Sequence, residues 1–125
     1  MLKGYDKAEA VSFILGRLYP EDYHVLKANQ LKAFLAQCID ADFDYMLSRD
    51  ILREDGSDGD CFYNSENAFR HIMRELIERN RPHESMVPDL CILVDDYMDY
   101  NRSYLESKGL KYHVDEDIPA SQPWG

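Results

Sequence analysis

Apolar residues recur along this chain at helical spacing in four blocks. Val11, Ile14, Leu15 and Leu18 lie three and four apart, which gathers them on one face of a helix. Asp6-Lys7-Ala8-Glu9 just ahead has the form of a capping box, with Asp6 placed to accept from an early backbone N–H and Glu9 to reach back. Pro20 ends the run, and Gly16 inside it, at a cost of about 1 kcal/mol relative to alanine, would permit close helix packing. Pro20 with Glu21 and Asp22 also has the composition of a first helical turn, since proline lacks a donor that is unpaired there anyway and acids suit the positive helix end. A second helix is therefore expected to open at Pro20. Leu31, Phe34, Leu35, Cys38 and Met46 carry its period to Leu47, with a break near Asn29 that would divide it in two.

Ala68, Phe69, Ile72, Met73, Leu76 and Ile77 form the most regular stripe, with Asn64 or Ser65 as its cap and Asn80 and Pro82 as its stop. A fourth helix is expected from residues 85–88 onward, with Val87, Leu90, Cys91, Val94, Tyr97, Met98, Tyr104 and Leu105 on one face. Gly109-Leu110 predicts a Schellman stop, with Leu110 folding back. Asn101 falls in the apolar seam, where a polar side chain fixes register or bonds a neighbouring backbone. Ile92, Leu93 and Tyr100 lie off the main stripe, so this helix is either central in the bundle or part of a dimer contact.

The pattern predicts an all-α fold, a compact bundle of four main helices, five if the second divides. Between the second and third helices, Ile51-Leu52-Arg53 and Cys61-Phe62-Tyr63 flank an acidic segment that is either an irregular loop or a very short β-hairpin turning at Asp55-Gly56. Residues 1–110 are expected to form one domain, and residues 111–125, which hold the only tryptophan, Trp124, a loosely ordered acidic tail.

Composition narrows the function classes. The chain has 125 residues and a formal charge of −10, which opposes phosphate backbones and anionic lipid surfaces, so neither nucleic acid nor membrane is an expected partner. The cysteines, Cys38, Cys61 and Cys91, are three in number and widely spaced, as expected of a reducing, cytoplasmic setting. No apolar run approaches the roughly 20 residues that cross a bilayer.

Candidate chemistry concentrates in residues 53–66, REDGSDGDCFYNSE, where five acidic side chains and two glycines stand together. Asp55, Asp58, Asp60 and Glu66 are the candidate ligands for Ca²⁺ or another divalent cation, but no register completes the EF-hand pattern. Starting at Asp55 puts Glu66 in the last ligand position and exchanges a ligand with the turn glycine at Gly59 and Asp60. Starting at Glu54 fits Asp58 and Gly59 but leaves Gly56 and Ser65 in ligand positions. The competing reading is a solvated turn followed by a helix cap. Asp40/Asp44 and Asp95/Asp99 are carboxylate pairs at helical i,i+4 spacing, and would form a Mg²⁺ or Mn²⁺ enzyme site if two helices brought them together. The paired Glu-x-x-His segments of di-iron bundles, the G-x-S-x-G elbow and phosphate-binding glycine loops are missing from the sequence.

Asp55-Gly56-Ser57-Asp58 followed by Phe62-Tyr63 resembles the Gly-Ser-Asp and tyrosine-pair segment of bacteriocin DNase immunity proteins, although here the aromatics stand further along and the following proline is missing. The resemblance covers residues 55–63 alone. It implies a surface on which acids steer and aromatics anchor a basic nuclease.

The expected function is therefore a non-enzymatic protein-interaction or regulatory domain, acting on a protein partner or through self-association as a homodimer. Phe62, Tyr63, Tyr97, Tyr100 and Tyr104 are its candidate interface anchors. The alternatives are an inhibitor or nucleic-acid-mimicking decoy that binds a basic partner such as a nuclease, and a divalent-metal enzyme using the helical carboxylates.

Overall fold

The computed structural model describes residues 3–110 together with Tyr112 and Val114. Four α-helices, α1 (Lys7–Leu15), α2 (Ala28–Ser48), α3 (Ser65–Asn80) and α4 (Val87–Ser107), account for most of these residues. The all-α bundle expected from the periodicity is what forms. The acidic tail expected over residues 111–125, with Trp124, lies outside the described residues apart from Tyr112 and Val114.

Asp6 caps α1, its Oδ1 accepting the Glu9 backbone N–H at 3.0 Å. Glu9 does not complete the capping box. Its Oε1 instead accepts from the Tyr104 hydroxyl at 2.8 Å and from Lys108 Nζ at 2.6 Å, which ties α1 to the far end of α4.

The start of the second helix corrects the sequence reading. Pro20–Asp22 is a separate 3₁₀ turn, and α2 begins only at Ala28. Two forces hold residues 23–27 out of the helix. Tyr23 and Leu26 are drawn into the core, and the buried Asp89 carboxylate accepts the backbone N–H groups of His24, Val25 and Leu26 at 3.1, 2.7 and 2.9 Å. Those donors are satisfied without a helix, so the segment has no need to form one. From Ala28 the helix runs unbroken for 21 residues, and among the described residues no fifth α-helix arises.

Asn64 caps α3 by accepting the Asn67 N–H at 2.9 Å. Arg81, at φ 45°, closes that helix in the left-handed region where glycine is usual. Pro88 stands in the first turn of α4, which ends as expected: Gly109 takes φ 73°, and the Leu110 and Gly109 N–H groups bond the carbonyls of Leu105 and Glu106 at 2.9 and 3.0 Å.

α2 and α4 pack against each other, and α1 and α3 each pack against both of them. The apolar breadth of α4 thus reflects a central position, and Leu93, placed off the stripe by sequence, is fully buried.

Residues 50–64 make a tight knot rather than a hairpin with strands. Leu52 and Asp58 form one isolated antiparallel bridge, and the turn between them closes through Gly56 N–H to the Arg53 carbonyl at 2.9 Å. Gly59 is dictated by space, since a Cβ there would lie 1.9 Å from the Asp50 carbonyl oxygen. The knot seats where the segment before α1 meets the end of α4. Lys3 N–H donates to the Glu54 carbonyl at 3.0 Å, and a Cβ on Gly56 would meet Leu110 Cδ2 at 3.0 Å.

Candidate functional site

The acidic knot engages its carboxylates locally. Asp55 Oδ1 accepts the Ser57 hydroxyl at 2.6 Å and its N–H at 2.9 Å, and these bonds hold the carboxyl below its usual range. Asp50 accepts from Arg53 Nε at 3.0 Å and from the Asp60 N–H at 3.2 Å, while the Asp60 carboxylate lies 3.5 Å from the same guanidinium. Glu66 pairs with Arg70 one turn along α3. Asp55, Asp58, Asp60 and Glu66 therefore do not close around a common point, and among the described residues no three His, Cys, Asp or Glu side chains form a group that could hold a metal ion.

The helical carboxylate pairs do not meet either. Asp40 and Asp44 line a groove between α2 and α3 with Glu75 and Arg79, whereas Asp95 and Asp99 line another beside the start of α3. Asp40 holds Lys7 at 2.8 Å, and Asp44 Oδ2 lies 3.5 Å from Nε2 of His71, a buried atom without a hydrogen bond.

The aromatics read as interface anchors divide. Tyr97, Tyr104 and Tyr63 are buried, at 0%, 2% and 4% exposure, so these three belong to the core. Their rings are too well packed, and their hydroxyls too well bonded, to serve as docking anchors. Tyr100 is half-buried, and Phe62 remains at the surface with 47% exposure.

What the buried tyrosines do instead is surround Asp42. This aspartate of α2 is 2% exposed. Its Oδ1 accepts the Tyr63 hydroxyl at 2.9 Å and its Oδ2 the Tyr97 hydroxyl at 2.7 Å. Asn101 extends the chain, donating Nδ2 to the Tyr97 oxygen at 3.0 Å and accepting the Tyr5 hydroxyl at 2.6 Å. Asn101 thus bonds side chains rather than a neighbouring backbone. Burial pushes the Asp42 carboxyl up to about 6, against the opposing pull of the two phenols. A buried carboxylate is costly without a cationic partner, because two neutral donors replace only part of its hydration. Periodicity held the signal: Asp42 follows Cys38 by four residues and precedes Met46 by four, so it stands in the apolar stripe of α2.

Above this network the surface is concave. Tyr63, Ser65, Met98, Tyr112 and Val114, with Asp95, Asp99 and Arg102, line a groove of about 260 Å³ between the start of α3 and α4. The Tyr63 and Tyr112 ring centroids lie 4.9 Å apart in its wall. Burial and the charge of Asp95 raise the Asp99 carboxyl, with Arg102 opposing. Burial also raises Asp96, which accepts from the Tyr23 hydroxyl at 2.9 Å but feels Asp95, Asp22 and Asp99 around it. This side of α4 carries more negative charge than its own cations relieve. A larger groove of about 580 Å³ between α1 and α2, lined by Ala8, Val11, Ala33 and Ala36 with Lys7 and Lys32 beside them, supplies shape without an acid–base pair.

Comparison of the chain with protein-family models, with curated proteins and with solved structures finds no match.

Proposed function

We propose that this chain is a non-enzymatic protein-interaction domain that docks a basic partner on the acidic side formed by α4 and residues 58–66. The observation that carries the reading is the groove beside Tyr63: Asp95 and Asp99 crowd one wall, and the exposed Phe62 follows on the adjoining segment. Burial and the charge of Asp95 raise the Asp99 carboxyl, so an incoming cation is favoured there, and an exposed phenylalanine beside it gives the contact an apolar anchor. The decoy reading, with a nuclease as the basic partner, is a special case of the same surface. Cys61 is exposed and unpaired beside Phe62, which fits a reducing, cytoplasmic setting.

The test compares wild type with Phe62→Ala and with Asp95→Lys, Asp99→Lys as bait for partners from lysate, followed by affinity measurements on the purified partner. The expected result is a basic protein held by wild type, lost by both variants, and bound progressively more weakly as salt is raised. A partner held equally by all three proteins, or one indifferent to salt, would overturn the proposal.

A further inference from the structure

The groove of about 580 Å³ between α1 and α2 shares no residue with the one beside Tyr63. Asn29, Lys32, Ala33 and Ala36 form one of its walls, and their spacing of three and four puts them on a single face of α2. Ala8, Val11 and Ser12 form the other wall from α1 at the same spacing. From Asn29 to Ala36 the groove spans about 10 Å, two helical turns. Val11 is buried beneath it, whereas Ala8 and Ala33 are exposed. Side chains this short leave α1 and α2 open to close approach along those two turns. The furrow left between two packed helices is one that the side-chain ridge of a third helix can fill.

The charge of this groove runs against that of the chain. Acids outnumber bases by 24 to 14 in the sequence, yet the charged residues among those lining the groove are Lys7 and Lys32, with no acid. Its two ends differ. At the Ala36 end the Lys7 ammonium is held by both oxygens of Asp40, at 2.8 and 2.9 Å, so that charge is neutralised. The Asn29 end is the start of α2, where Lys27 occupies the N-cap and no acid stands in the first turn. Lys32 follows one turn along, exposed, and makes no ion pair among the described residues. The acids of the neighbouring elements are committed elsewhere. Asp89 is buried and accepts three N–H groups of residues 24–26, and Glu9 of α1 is engaged by Lys108 and Tyr104. The positive end of the α2 dipole and the Lys32 ammonium therefore add at this end of the groove.

We infer that the groove docks an amphipathic helix of a partner protein, with apolar side chains at helical spacing over Val11 and the alanines and a carboxylate against Lys32 and the start of α2. Charge complementarity selects this occupant. A second copy laid face to face would set lysine against lysine. A free fatty acid would keep much of its chain in water, because the groove is open along its length. The site stands apart from the acidic side of α4 and does not depend on what docks there.

Amphipathic helical peptides of about 18 residues, alike in their apolar face and carrying glutamate, glutamine or lysine at one end of it, test the site when titrated into the isotope-labelled full chain and followed by NMR. The expected result is that the glutamate peptides bind most tightly and shift the amides of Val11, Lys32, Ala33 and Ala36. Lys32→Glu should weaken them about tenfold and turn the preference toward the lysine peptides. Ala33→Gln lays a longer neutral side chain across the groove from an exposed helical position, and should remove binding of every peptide while leaving thermal unfolding as it was. Equal binding of the three sets, binding unchanged in Lys32→Glu, shifts confined to α4, or no binding by any set would overturn the proposal. Shifts of the same amides with protein concentration alone would assign the face to a second copy, and shifts of them in Trp124→Ala with no peptide present would assign it to the chain's own end. Either result overturns the proposal too, as would saturation of these amides by laurate and not by peptide.

Discussion

Replacing Asp89 with alanine should be among the most damaging single changes in this protein, although Asp89 touches no groove described above. Its carboxylate, in the first turn of α4, receives three backbone N–H groups from residues 24–26 at 2.7 to 3.1 Å. Hydrogen bonds to a charged acceptor each contribute about 1.5–3 kcal/mol. The sum is not simply additive, because His24 and Val25 are exposed and their amides can turn to water once released. Leu26 is buried and cannot do so without leaving the core. A net loss of about 3–4 kcal/mol follows, a large share of the roughly 5–15 kcal/mol that holds a domain of this kind together. In thermal unfolding this is a fall of about 10–15 °C. The pH dependence sharpens the test. Burial raises the Asp89 carboxyl, but the three backbone donors outweigh it and hold its pKa below the usual value. Its contribution is thus fully present above the unfolded value and is lost as pH falls toward the folded one. Urea unfolding at pH 7 should show the full difference between wild type and Asp89→Ala, and the gap should shrink on acidification below about pH 4. A cost under about 1 kcal/mol at pH 7, or one that stays constant into acid, would refute the account of why residues 23–27 lie outside α2.

Asp42 has the opposite sign. Its carboxyl stands at about 6 in the fold against an ordinary 3.8, so the folded state holds more protons between those values and stability falls as pH rises through them. Equilibrium unfolding should place this contribution at about 3 kcal/mol and find it gone in Asp42→Asn; identical pH profiles for the two proteins would contradict it. Gly59→Ala, with its Cβ driven against the Asp50 carbonyl, should cost about 3 kcal/mol by urea unfolding, and a fully stable variant would mean that the knot is slack. Excess Ca²⁺, Mg²⁺ or Mn²⁺ should leave the melting temperature of EDTA-treated protein unchanged, because the acids of residues 53–66 do not converge. A rise of several degrees that Asp58→Asn, Asp60→Asn abolishes would place an ion in the knot.

Helix number, the caps at Asp6 and Asn64, and the Schellman stop at Gly109 were legible because each is a local matter of side-chain period and backbone satisfaction. The start of α2 was not. Pro20-Glu21-Asp22 has good local credentials for opening a helix, and what overrules them is a carboxylate more than sixty residues away in sequence. The same limit governed the tyrosines. Composition shows that nine are present, but whether a tyrosine anchors a partner or solvates a buried acid depends on what stands across the core. Asn101 was recognised as a polar residue in an apolar seam, while its partners Tyr5 and Tyr97 could be assigned only once α4 and the N-terminal segment were side by side.

The seat of the acidic knot between Lys3 and Leu110 has a practical meaning. Lys3 lies against the same turn that receives Leu110, so the segment before α1 and the one that follows α4 meet at one corner of the helical body. A domain with neighbouring entry and exit points can be spliced into a loop of a host protein, or joined end to end and reopened elsewhere, without pulling its helices apart.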